Sequence, residues 1–362
     1  MKILRDIFEK VSPSFHEGGK FKAFKPVYEA MENFFFAPAA RTVMAPHVRD
    51  PIDVKRFMSM VIIGVIPCVL ASLYFYGLQI IAMIIVSYAV GGVVEVIFAM
   101  VRKEEINEGF LVTGMLFPLI LPPTLPLWMV GVGVAFGVFV GKELFGGTGR
   151  NLFNPALIGR CFLALAYPAA MSSNWVAAGE AGVGRLMQYV TASSVDAISS
   201  ATPLVLAKQG SVVEVSHMIL GTTSGSVGET SGALIIIGGV FLLFTRVANW
   251  RTVVSILLSA GVMAGVLHHS DPGRFAPALW HLFAGGMLFG AFFMATDPVT
   301  SPVTNTGKWF YGIIIGVVTI SIRNFTGYVE GVMFAILLGN IIAPILDEIV
   351  VGFRLRRLRG EG

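Results

Sequence analysis

Along the chain, long apolar runs alternate with short connections rich in Gly, Pro and basic residues. Phe57–Phe75 carries no charge and reaches the roughly 18 to 20 residues that cross a bilayer as a helix. Ile313–Ile320 lies inside another such run. Hydropathy and turn signals together predict about ten spans, at 57–76, 78–101, 110–123, 127–141, 152–169, 232–245, 252–268, 277–295, 309–322 and 329–346. Several are short for a full crossing. Interruptions such as "FPLILPPTLP" predict broken or half-length helices, which survive at membrane depth only where protein covers the freed peptide groups.

Composition agrees with a membrane protein. The chain has 362 residues, 55% hydrophobic and 13% charged, against about 25% charged in soluble domains. Its first 56 residues are polar and charged, so no cleavable signal peptide is expected. Basic residues then orient the spans. Lys20, Lys22, Lys25, Lys55 and Arg56 place the N-terminal segment in the cytoplasm. Alternation brings Arg102–Lys103, Lys142–Arg150, Arg246–Arg251, Lys308 and the tail "RLRRLR" to the same side. Arg185 and Arg323 are the main exceptions, and residues 170–231 fall outside as a long loop. A net charge of +4 needs no nucleic acid to explain it, because basic clusters beside spans have this topological cause.

The sequence also echoes itself. "TGMLF" (113–117) precedes "RNLFNPALIGRCFLALAYP", and "GGMLF" (285–289) precedes "RNFTGYVEGVMFAILLGNIIAP" at a nearly matching separation. Two halves of about five spans each are expected, and an odd number of spans inverts the second copy. The expected fold class is therefore an all-α polytopic membrane protein: about ten transmembrane helices in two inverted five-helix repeats with broken half-helices. The expected organisation is a cytoplasmic segment (1–56), a first repeat (57–169), an outer loop (170–231), a second repeat (232–348) and a basic tail (349–362). Before the first span, Phe21, Phe24, Tyr28, Met31 and Phe35 recur at helical spacing, predicting an amphipathic surface helix.

Few residues here are suited to chemistry. Cys68 and Cys161 cannot alone supply the four thiolates of an ordinary iron–sulfur cluster, and the six histidines form no metal-binding spacing. His268 and His269 read as a solvated helix end. Gly131, Gly133 and Gly137 suit close helix packing, and "GKELFGGTGRN" lacks the order of a phosphate-binding loop. Acids near spans are the exception, because they are costly in lipid and usually face a cavity. Glu95, Asp297 and Asp347 are such acids; each suits either a cation in transit or a helix cap.

Six stretches, in order, carry a resemblance: "FHEGGKFKAFKPVYEAMENFF", "HVRDPIDVKRFM", "VRKEEINEGFLVTGMLFPLILPPTLPLW", "GKELFGGTGRNLFNPALIGRCFLALAYP", "FFMATDPVTSPVTNTGKWFYG" and "EGVMFAILLGNIIAPILD". They resemble the NqrB and RnfD family. It joins one membrane component of the Na⁺-translocating NADH:quinone oxidoreductase (Nqr) to its counterpart in the Rnf complex. The N-terminal "FHEGGK" extension favours the former.

That resemblance implies FMN joined through its phosphate to a threonine in a D-G-x-S-G-A-T type motif. The matching run is Asp196, Ala197, Ile198, Ser199, Ser200, Ala201 and Thr202, with Ala197 and Ser200 replacing two glycines. Composition alone would make this a solvated hydroxyl loop. The family also implies a noncovalent riboflavin, a quinone site at Gly91 and Gly92, and a sodium path touching Glu29, Glu95, Asp297 and Asp347. The glycine pair suits close helix packing equally well. Implied partners are the other subunits of a respiratory complex, including an outer-side FMN subunit, together with quinone, Na⁺ and a flavin transferase for maturation. The implied setting is the bacterial inner membrane, with both termini cytoplasmic and the Thr202 loop on the outer side. An Rnf-type protein moving electrons between ferredoxin and NAD is separated by quinone reductase activity. A flavin-free channel or solute transporter on the same repeat is opposed by the "DAISSAT" run.

Overall fold

The computed structural model describes residues 10–15, 25, 28, 54–103, 109–172, 175 and 201–359. Glu29, Asp196, Ser199, Ser200 and most of the expected amphipathic helix lie outside the described residues. The first half holds α1 (Val54–Tyr76), α2 (Gln79–Arg102), α3 (Gly109–Leu119), α4 (Leu127–Gly141) and α5 (Pro155–Ala166). Short helices α6 (Pro168–Ser172), α7 (Pro203–Lys208) and α8 (Val215–Leu220) and the turn Val227–Glu229 follow. The second half holds α9 (Gly232–Phe244), α10 (Trp250–Ser270), α11 (Ala278–Phe283), α12 (Met287–Phe289) with a π turn at Gly290–Met294, α13 (Asn305–Phe325) and α14 (Val332–Leu358).

Helix starts follow local chemistry. Asn154 accepts from Ala156 N at 3.0 Å and precedes Pro155 at the first turn of α5. Thr202 accepts from Val205 N at 3.4 Å ahead of Pro203 in α7, and Thr304 accepts from Gly307 N at 3.1 Å in α13. Each side chain occupies an otherwise unpaired N–H of the first turn, and proline has no N–H there to lose.

Five helices are long and apolar enough to cross a membrane: Arg56–Tyr76, Gln79–Arg102, Leu127–Phe145, Trp250–Ser270 and Val332–Leu358. Leu70, Ile85, Val93, Val262 and Ile341 point outward from them. Apolar surface of that extent is at home against lipid tails and not against water. The remaining expected spans are shorter or interrupted. α3, α5 and α9 are apolar helices of fewer than 18 residues, while the 21-residue α13 carries Lys308 and Arg323.

The break expected after α3 is present and fully enclosed. Leu121 and Leu125 have no exposed surface. Val227 N donates to Leu121 O at 3.0 Å, and Gln79 Nε2 donates to Leu125 O at 3.4 Å. Ser72 Oγ in turn donates to Val227 O at 2.6 Å. The expected continuous span 277–295 is instead divided at Ala284–Gly286. The backbone opens there because Gly285 takes φ +57° and Gly286 N donates to Glu330 Oε2 at 3.0 Å.

Packing repeats between the halves. α2 packs on α3 and α4, and α4 on α5; α10 packs on α11 and α13, and α13 on α14. α1 and α9 cross where Gly238 lies directly on the Gly64 carbonyl, leaving no room for a side chain.

Candidate functional site

Two cavities lie at opposite ends of the helices. One, of about 300 Å³, is lined by Thr202, Arg160, Ser226 and Glu229 together with the rings of Trp175, Phe283, Tyr328 and Phe334. Its volume and its mixture of aromatic wall and few polar groups suit a flat organic ligand. Thr202 is 9% exposed, held in place as the cap of α7. The expected open loop is thus, at its C-terminal end, a hydroxyl set into a cavity wall.

Beside that cavity lie four charges that reading the sequence did not single out. Arg160 Nη1 is 3.6 Å from Glu229 Oε1, and Arg323 Nη2 is 3.2 Å from Glu330 Oε1. Arg323 also donates to His281 O at 2.8 Å and Ala284 O at 2.9 Å. The carbonyls come from the split between α11 and α12, so the opened backbone and the buried guanidinium satisfy each other. Burial pushes Glu229 up to about 7, with Arg160 opposing and Glu330 reinforcing. A signal for the two acids existed: Glu229 and Glu330 each stand just before a helix that opens on small or branched apolar residues, at related places in the two halves.

The second cavity, of about 70 Å³, collects polar groups from the opposite helix ends. Lys142, Thr113, Asn151, Asn154 and Asp297 line it, with Phe57 and Phe293 as apolar walls. Asp297 accepts from Thr300 Oγ1 at 2.9 Å and from Val299 N at 3.4 Å. Burial nevertheless pushes its carboxyl above the ordinary range.

Glu95 sits next to this cavity through its partner. Lys142 Nζ donates to Glu95 Oε1 at 2.6 Å, while Glu95 Oε2 is buried without a partner. Lys142 also lies 5.9 Å from the ring centre of Phe110, and that ring covers Gly91. Gly91, Phe110, Lys142 and Glu95 therefore form one cluster at the α2–α4 contact. Gly92 has more space beside the same ring. Asp347 is elsewhere, at the start of α13. It accepts from Val303 N at 2.7 Å and from Thr304 N at 2.9 Å, so it fastens the loop that caps that helix. The structure thus brings Asp297 and the partner of Glu95 into one cavity and sets Thr202 in the other.

Comparison with known proteins spans almost the whole chain. The family described as NQR2, RnfD, RnfE matches residues 41–354. The NqrB protein of the Na(+)-translocating NADH-quinone reductase from Klebsiella pneumoniae (strain 342) is 39% identical, covering 99% of this chain and 100% of the relative. The protein of the same name from Azotobacter vinelandii is 38% identical, covering 98% of each. A match of that extent, on an all-helical membrane scaffold, identifies the chain as a member of the NQR2, RnfD, RnfE family.

Proposed function

We propose that this chain is the flavin-carrying membrane subunit of a respiratory, Na⁺-translocating NADH:quinone oxidoreductase. Near full-length similarity to relatives named for that activity supports the assignment. The observation that carries the flavin site is Thr202, a hydroxyl built into the wall of an aromatic-lined cavity of about 300 Å³. FMN esterified there would supply the electron chemistry, and the chain would supply position, charge and exclusion of water. Attachment fixes proximity to electron partners without a binding equilibrium. Phe283, Tyr328 and Phe334 would flank a flat ring, and Arg160 would place positive charge beside any anion that forms.

The smaller cavity suits a riboflavin headgroup, because amides and hydroxyls at Asn151, Asn154 and Thr113 match an uncharged polyol better than a phosphate. A quinone headgroup would approach Gly91 and Gly92 on α2. Glu29, Glu95, Asp297 and Asp347 form the cation path, with Glu95 and Asp297 at the cavity end. Moving one charge against 100 mV costs roughly 2.3 kcal/mol, so transport needs redox free energy. The recurring packing of α2–α5 and α10–α14 supports two duplicated, inverted halves around these sites. The inner membrane is the setting, with both termini cytoplasmic and Thr202 facing outward. Other subunits of the complex, including an outer-side FMN subunit, and a flavin transferase complete the set of partners.

In-gel fluorescence of the denatured polypeptide, after co-expression with its flavin transferase, tests the central claim. Wild-type protein and Thr202→Ser, which keeps both hydroxyl and cap, fluoresce; Thr202→Ala is dark. A dark wild-type band, or a fluorescent Thr202→Ala band, sinks the assignment.

A further inference from the structure

Arg323 breaks the charge pattern that orients the spans, and the structure shows where it points. On the far side of α7 from the Thr202 cavity is a separate one of about 540 Å³. Lys208, His268, Arg274, His281 and Arg323 line it, and no carboxylate does so among the described residues. The nearest compensating acids are otherwise engaged. Glu330 meets Arg323 at 3.2 Å, and Asp271 accepts from Gly273 N at 3.2 Å in an exposed turn.

Two buried polar groups in this wall have no protein partner. His281 is 4% exposed and both its ring nitrogens are unpaired, as is the Nε of the 3% exposed Arg323. A buried donor without a partner costs about 1–3 kcal/mol. An imidazole always offers at least one N–H, whichever tautomer it adopts. Lys208 uses only part of its donor capacity, on Thr326 O and Tyr328 O at 2.8 Å each. His268 turns its Nδ1 to Phe275 O at 2.7 Å, which leaves Nε2 as the group still available. Trp280 closes the floor by donating to Val213 O at 3.0 Å.

We propose that this cavity binds a phosphate-bearing anion. Several cationic donors converging from different segments, with unpaired buried N–H groups among them, match an oxyanion with three or more acceptor oxygens. The space holds a whole phosphate headgroup, and its Phe275, Ala276 and Trp280 wall accepts apolar atoms attached to one. Leu204 and Val329 line both this cavity and the Thr202 cavity, so an occupant braces α7 from behind.

The test uses the intact complex, stripped of bound lipid and placed in phosphatidylcholine nanodiscs. Phosphatidylglycerol and inorganic phosphate are titrated separately, and retained ligand is counted by native mass spectrometry and phosphorus NMR. Arg274→Gln is the main variant, because Arg274 is exposed and the one described contact of its side chain is with the Phe275 ring. Loss of one charge-assisted contact weakens binding about tenfold. That loss for phosphatidylglycerol assigns a lipid headgroup; for inorganic phosphate, a soluble anion. Binding must persist in Thr202→Ala, which separates this site from any phosphate carried by a flavin. Equal binding of both probes to wild type and Arg274→Gln, or loss in Thr202→Ala, overturns the proposal.

Discussion

Lys142 reaches back from the end of α4 to place its ammonium 2.6 Å from Glu95 on α2, and both side chains are almost fully buried. Such a pair is held as a unit. Removing one partner leaves an uncompensated charge in a low-dielectric setting, at about 3–5 kcal/mol, whereas removing both is far milder. Lys142→Met and Glu95→Gln should therefore each lower the thermal midpoint of the purified complex well below that of the double variant. Additive losses in the double variant would mean that the two groups do not depend on each other.

Asp347 makes a different forecast. Its carboxylate accepts two backbone N–H groups and the Thr304 hydroxyl, so its first duty is to hold the turn entering α13. Asp347→Ala should cost about 1–2 kcal/mol, in the range of a lost helix cap. Asp347→Asn keeps one acceptor oxygen and should recover part of that. If the carboxylate also meets sodium in transit, Asp347→Asn raises the sodium concentration for half-maximal turnover while stability stays near wild type. An unchanged sodium response would confine Asp347 to the cap.

Glu229 predicts a pH effect with a definite sign. Burial raises its carboxyl from an ordinary 4.5 to about 7, so the folded chain keeps a proton that the unfolded chain has already released. Stability is then fully present below about pH 4.5 and falls as pH rises towards 7, levelling off above. Thermal midpoints of wild type and Glu229→Gln, followed across that window, should converge at low pH and separate at high pH, with the glutamine variant flatter. Parallel curves would show that Glu229 does not titrate there.

Gly91 and Gly92 separate packing from ligand binding. A methyl on Gly91 would lie 2.6 Å from the Phe110 ring, whereas on Gly92 the nearest approach is an ordinary 3.6 Å. Gly91→Ala should cost about 1–3 kcal/mol through overpacking, and Gly92→Ala almost nothing. A raised KM for quinone in Gly92→Ala, at unchanged thermal midpoint, would place the headgroup beside α2. No change in KM would leave the pair as packing residues.

Much of this scaffold was legible because lipid enforces a strong pattern. Uncharged runs marked α1, α2, α10 and α14, and Pro122, Pro123 and Pro126 marked the break after α3. Asn154 and Thr304 announced their helices by being small acceptors ahead of a first turn. What stayed hidden depends on distance along the chain. Glu95 gives no sign that its counter-ion is Lys142, since only the α2–α4 crossing joins them. The division of the 277–295 run was equally silent, because its cause is a carboxylate on Glu330 that arrives after another whole helix. Thr202 stood out by family likeness, while the cavity it faces is built from several separate segments.

The enclosed break after α3 bears on how the molecule is made. Its peptide groups find their partners in the turn at Val227, which itself hangs on Ser72, 155 residues earlier in the chain. Unpaired peptide groups are not tolerated in the hydrocarbon layer. The first five helices therefore leave the ribosome unable to finish their own interior, and wait in the translocon's shelter for a short piece of the following segment to be synthesised and slotted in.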